Sequence, residues 1–189
     1  MIKLAVLVEG KSDAEALVVR LKLIRGDQNL SVLSQEFGGQ GHLCNKAGAS
    51  INRFAQLGVT HFIICHDSDG KDPAEIRRKV QSSVGAKIDL KRVTHKIIVP
   101  VEELEAWIIA DEVAINKAIP KLLIDEVKHP ETIKNPKEWL IKKSQASRSR
   151  PLYAPAINNS QIAKHIDIAK VERKCPSFRE LTTFVRNVP

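Results

Sequence analysis

A chain of 189 residues that is 43% hydrophobic and 28% charged is long enough for one well-buried domain, and its composition is that of a globular protein. No apolar run approaches the roughly 20 residues of a membrane helix, and the N-terminal run meets Glu9 too soon for a signal peptide, so no membrane association is expected. Cys44, Cys65 and Cys175 are widely spaced and lack any Cys-x-x-Cys pairing; this argues against a structural zinc site and for a reducing, cytoplasmic setting.

The net charge of +8 is unevenly placed. Residues 1–112 carry 15 basic and 15 acidic side chains, whereas residues 113–189 carry 15 basic and 7 acidic ones. A neutral part joined to a basic part suits a polyanionic partner. The same shift divides the chain into an α/β core, 1–112, and a basic helical extension, 113–189, packed on it.

In chain order, Lys3 to Val8 is an apolar run that predicts a buried parallel strand. Glu9-Gly10-Lys11-Ser12-Asp13 follows, with Ser12 as N-cap and Glu15 completing a capping box. Ala14, Leu17, Val18, Leu21 and Ile24 then recur at helical spacing and end at Gly26. The glycines upstream that a P-loop would need before Lys11-Ser12 are missing. Leu30 to Glu36 predicts a second strand. The Gly38-Gly39-Gln40-Gly41-His42 loop after it either turns its N–H groups and His42 toward a phosphate or merely connects. A helix is expected from Leu43 to Leu57.

Phe62 to Cys65 predicts the central strand, closed by His66-Asp67-Ser68-Asp69-Gly70. Beyond the carboxyl end of a parallel strand, where ligands of open α/β sheets bind, Asp67 and Asp69 read either as a pair that needs a hard cation between them or as an ordinary turn. Asp72-Pro73 predicts an N-cap and first helical residue, with the helix running to Ser83. His95 to Val101 predicts a fourth strand. Glu102 to Asp111 then predicts a helix with Glu102 and Glu105 on one face. Beyond Val113 short helices broken by prolines are expected, closing with 161–173 and 178–188. Lys134 to Arg150 holds six positive charges against Glu138, and Lys142, Lys143, Arg148 and Arg150 within it form a candidate nucleic-acid patch.

Glu9-Gly10 after the first strand and Asp67-x-Asp69 after the third resemble the TOPRIM domain of topoisomerases, primases and related nucleases. The resemblance implies a compact parallel four-stranded sheet flanked by helices. Those motifs, with Gly39-Gln40-Gly41, Val101 to Asp111 and Cys175-Pro176-Ser177-Phe178, are also similar to a small bacterial family known as domain of unknown function 4276. Its members are TOPRIM-like, occur in anti-phage defence loci, sometimes with an ATPase partner, and resemble the overcoming-lysogenisation-defect nucleases. What the resemblance implies is a metal-dependent nuclease acting on DNA or RNA. Its third acidic motif falls on the glutamate-rich segment, with Glu103 and Glu105 as candidates and Glu102 still in contention.

Phosphodiester hydrolysis needs an activated water and neutralised phosphate charge. Mg2+ or Mn2+ on Asp67 and Asp69 would serve, with Glu9 as ligand or general base, Lys11 on the phosphate and Glu103 or Glu105 on a second ion. Tyr153, the one tyrosine, is expected far from these motifs, which argues against a topoisomerase nucleophile. A haloacid-dehalogenase phosphatase would need Thr or Val where Lys71 stands, and a receiver domain's pattern is missing. A binding module without turnover remains the non-enzymatic alternative, and the sequence leaves a homo-oligomer open.

Overall fold

The structure, a computed structural model, describes residues 2–26, 30–85, 88, 93–145 and 149–189. Strands β1 (Ile2–Val8), β2 (Leu30–Glu36), β3 (His61–Cys65) and β4 (Thr94–Ile98) form one parallel sheet in the order β2-β1-β3-β4. β1 pairs with β2 from Ile2↔Leu30 to Val8↔Glu36 and with β3 from Leu4↔His61 to Leu7↔Ile64. Successive strand residues face opposite sides. Leu4, Val6, Val8, Ile63, Cys65 and Ile98 therefore enter one core. Ala5, Leu7, Phe62, Ile64, Ile97 and Val99 enter the other. Burial on both faces is why the inner strands read as unbroken apolar runs. All three cysteines are buried free thiols.

Helix α1 (Lys11–Arg25) covers the first face, while α2 (Gln40–Gln56) and α3 (Pro73–Gly85) cover the second. After β1 the chain moves outward through α1 to β2; α2 then carries it back past β1 to β3. The winding direction thus reverses between β1 and β3, and in such sheets the crevice at the carboxyl ends of those two strands is the ligand site. Among the described residues no helix is long and apolar enough to cross a membrane.

The rest of the chain folds onto the α1 face as α4 (Glu105–Ile109), α5 (Glu112–Ala118), α6 (Pro136–Gln145), α7 (Pro155–Ala163), α8 (Ile168–Lys174) and α9 (Pro176–Arg186), with a 3-10 turn at Pro130–Thr132. The prolines begin these elements rather than break them. Pro130, Pro136, Pro155 and Pro176 each open a helix or turn, where the missing N–H costs nothing. α4 is the hub. Trp107 is fully buried, meets Phe178 edge-on at 5.2 Å and donates its indole N–H to Ser177 Oγ at 2.8 Å.

Three local expectations are corrected. α1 starts at Lys11 with extended Gly10 as N-cap, so Ser12 is not the cap; its hydroxyl donates to Asp13 Oδ1 instead. The expected 102–111 helix is only Glu105–Ile109, because side chains intercept the amides before it (below) and Asp111 caps α5 by accepting the Ala114 N–H. The expected 161–173 helix splits into α7 and α8, because Asp167 caps α8 while its own N–H donates to Asp111 Oδ2 at 2.8 Å.

One apolar core thus joins the sheet, α1 and the extension. A chain ending at residue 112 would bare Leu17, Leu21, Trp107 and Ile108. We expect it to show no cooperative thermal transition by circular dichroism, whereas a sharp melt would mean that the core folds alone. In the full chain, Trp107→Ala should cost about 3–5 kcal/mol in urea denaturation.

Candidate active site

Two glycines lace β2 to the end of β1. Gly38 and Gly39, at φ 69° and 129°, both donate their N–H groups to the Glu9 carbonyl, at 2.8 and 3.2 Å. Only glycine reaches such angles without strain. These amides therefore do not face a phosphate. His42 Nδ1 lies 3.2 Å from the Phe37 carbonyl of the same loop, so its ring too is engaged locally.

The Glu9 side chain turns toward β3. Its Oε1 accepts the Asp67 backbone N–H at 3.0 Å and lies 3.1 Å from His66 Nδ1, which is also 2.7 Å from the Asp67 carbonyl oxygen. Both neighbours of Nδ1 are acceptors, so Nδ1 carries the proton. Burial lowers the His66 pKa and keeps the ring neutral. Asp67 Oδ1 in turn accepts the Leu104 N–H at 3.1 Å. One chain of bonds therefore runs from β1 through β3 to the segment after β4.

That segment is strained. Glu102 sits at φ 61°, donating its N–H to Ser68 Oγ at 2.8 Å and accepting the N–H of Asp69, itself at φ 47°. Left-handed backbone at two bonded non-glycine residues costs of order 1 kcal/mol or more each and is held only by surrounding bonds. The same bonds keep residues 102–104 out of the helix.

The three glutamates are thereby sorted. Glu102 turns outward, its carboxylate oxygens 3.7 and 3.8 Å from where a Cβ on Gly70 would stand. Glu103 accepts the Lys137 backbone N–H at 2.8 Å and its Nζ at 3.2 Å. Glu105 is fully buried, with Oε1 accepting from Asn159 Nδ2 at 3.1 Å, 3.5 Å from the Tyr153 hydroxyl oxygen and 3.9 Å from Lys137 Nζ. Its Oε2 has no partner among the described residues. Tyr153, expected far away, is thus a neighbour of the acidic cluster; buried at 1% exposure, its hydroxyl is bound to Asn159 Oδ1 at 2.5 Å.

Val8, Glu9, Asp13, Cys65, Asp67 and Leu104 line a narrow crevice that leaves no room for a water molecule. Asp13 enters it from the first turn of α1, four residues after Glu9. Its carboxylate comes so close to the backbone that a Cβ on Gly10 would meet Oδ2 at 2.9 Å. Sequence reasoning missed Asp13, His66, Lys137 and Asn159; for Asp13 the signal was its place in the first helical turn beyond a strand-end glutamate. Asp69 stands exposed at the rim, close enough to raise the Glu9 pKa. Lys11 is exposed at the start of α1, Lys142, Lys143 and Arg150 are exposed, and Arg148 lies outside the described residues.

Burial and mutual repulsion disfavour the charged carboxylates. Glu9 is pushed up to about 7, first by burial and then by Asp69 and Asp13, against the Asp67 N–H bond. Burial, then Asp13, Glu105 and Glu9, lifts Asp67 well above its ordinary value; Asp13 and Glu105 are raised as well, also by burial first. Two cations oppose them: Lys137, and Arg20, whose guanidinium is fully buried 6.0 Å from the Trp107 ring and has no hydrogen-bond partner among the described residues. Desolvation lowers Arg20 to about 10, so it stays charged at neutral pH. Carboxylates outnumbering cations in a confined space are hard oxygen donors suited to Mg2+ or Mn2+. As the side chains stand, no group of three or more acidic, histidine or cysteine residues among those described is arranged to hold an ion. The donor chemistry of these residues, though not their present arrangement, fits a divalent cation.

The sequence profile of one protein family, described as Domain of unknown function (DUF4276), matches residues 8–186, which include every residue of this crevice. No protein with a curated description matches the chain.

The raised Glu9 pKa has a definite sign. A folded value near 7 against 4.5 unfolded means that the native state binds the proton more tightly, so stability is lost as pH rises from about 4.5 to about 7. In chelator, the wild-type melting temperature should fall across that window relative to Glu9→Gln, by an amount equivalent to about 3 kcal/mol. Parallel curves would show that Glu9 titrates normally.

Proposed function

Since the chain belongs to the family of domain of unknown function 4276, a description that assigns no activity, we propose from its own geometry that it is a metal-dependent nuclease hydrolysing phosphodiester bonds in nucleic acid. The observation that carries this reading is the meeting of Glu9 and Asp67, with Asp13 beside them, where the sheet reverses its winding. Asp67, Asp69 and Asp13, with Glu9 adjacent, would hold Mg2+ or Mn2+. The ion's chemistry is to neutralise charge on the phosphate and to acidify a bound water.

The chain's own groups supply the rest. Glu9 Oε1 is fixed by the Asp67 N–H and by His66, so Oε2 is the atom that takes a proton from the attacking water, and a pKa near 7 suits that role. Neutral His66 orients Glu9 without adding charge. Tyr153, buried and bound to Asn159, is not a nucleophile, which favours hydrolysis over strand transfer. Exposed Lys142 and Lys143, in the last turn of α6, and exposed Arg150 beyond it offer phosphate contacts.

Plasmid, single-stranded DNA and tRNA incubated with Mg2+ or Mn2+ test the reading. Cleavage should fall at least 100-fold in Asp67→Asn, which removes an anionic oxygen but preserves shape. Mg2+ should raise the wild-type melting temperature by ligand linkage and leave that of Asp67→Asn unmoved; equal shifts would place the ion elsewhere. Nucleic acid bound but never cut, with any ion, would make the chain a binding module.

Replacing Lys142, Lys143 and Arg150 by Ala should reduce the log–log salt slope of duplex binding by up to about 3, at roughly 0.9 per lost phosphate contact. An unchanged slope would make these three a solvated face.

A further inference from the structure

We infer that the Lys137 ammonium is the permanent counter-cation of the Glu103/Glu105 pair, so that the crevice takes one divalent ion, on its Glu9, Asp13 and Asp67 side, and not two. The inference rests on the proposed metal-dependent reading and deepens it.

Two independent features of Glu103 carry it. Its Oε2 accepts the Lys137 backbone N–H at 2.8 Å, at the second residue of α6, where the helix has unpaired amides and the positive end of its dipole. Glu103 is therefore the cap of a helix 34 residues away, a role that fixes one oxygen whatever else binds. Its Oε1 accepts Lys137 Nζ at 3.2 Å. Both oxygens are spent on one lysine.

Glu105 is similarly committed. Oε1 accepts from Asn159 and faces Tyr153, and Lys137 Nζ stands 3.9 Å away. Fully buried Arg20 adds a second positive charge, which interacts with Glu105 and also with Asp13. A divalent ion on this pair would have to expel the Lys137 ammonium, whose own backbone N–H is bound to Glu103. On the other side the situation is reversed. Among the described residues no ion pair joins Lys137 to Glu9, Asp13 or Asp67, and its charge acts on Asp13 without a contact. The ammonium touches one side of the cluster and not the other.

The test counts ions. Mn2+ binding to metal-free full-length protein, followed by calorimetry and by electron paramagnetic resonance of free Mn2+, should give one ion per wild-type chain. Glu103→Gln keeps an oxygen to cap α6 and should bind that ion within about twofold of wild type. Lys137→Met should bind two, since the pair then lacks its cation. Two ions in the wild type, a more than tenfold loss of affinity in Glu103→Gln, or a single ion in Lys137→Met would each overturn the inference while leaving a metal-dependent enzyme intact. No Mn2+ bound at all would overturn the nuclease reading, and this inference with it.

Discussion

Everything distinctive in this molecule follows from placing carboxylates at the ends of two buried strands. β1 and β3 are apolar because both sheet faces are covered, and Glu9 follows β1 directly while Asp67 follows β3 after His66. Such groups lose most of their hydration, and desolvation plus mutual repulsion is a cost of several kcal/mol for any that remains charged. The fold meets that cost with fixed dipoles and two internal cations. The Asp67 amide points at Glu9, the Leu104 amide points at Asp67, and Lys137 and Arg20 supply positive charge. The left-handed residues Asp69 and Glu102 are the local expense of aiming those amides.

The extension is part of this arrangement rather than an appendage to it. Lys137 comes from α6, Asn159 from α7 and Tyr153 from the turn between them, and all three gather on Glu105. Trp107, two residues on, is the centre of the core the extension builds with α1. Position and charge of Glu105 are therefore set by residues more than 30 positions further along the chain. The basic character of residues 113–189 consequently has two components: Lys137 turns inward as a counter-charge, while Lys142, Lys143 and Arg150 remain outside.

What the sequence made legible was whatever depends on local pattern. Apolar runs located β1 and β3, weaker patterns located β2 and β4, and the acids that follow β1 and β3 lie at the crevice. Asp72 does cap α3, accepting the Ala74 N–H at 2.9 Å. The misses share one cause. Ser12 looked like a cap because local spacing cannot show that Gly10 makes room for Asp13. Glu102 to Glu105 looked helical because propensity cannot anticipate that Ser68 and Asp67 claim the amides of Glu102 and Leu104. Tyr153 looked remote because separation along the chain says nothing of the return of α6 and α7 to α4. In each case a side chain far away in sequence outcompeted a local preference.

The two ends of the sheet differ in physical character. At the amino-terminal ends, residues such as Ile2 and Leu30 continue ordinary strand pairing. At the carboxyl ends lie the left-handed non-glycine pair, the raised carboxyls, the neutral buried histidine and a glutamate oxygen without a partner among the described residues. The raised carboxyls detract from stability whenever they are charged, and a change of charge within the crevice relieves them. Selection for stability alone removes such features one substitution at a time, because Asp→Asn or Glu→Gln at any of them would lessen the repulsion. Their concentration in one crevice, on the carboxyl ends of β1 and β3, is therefore the feature of this fold that stability alone does not account for.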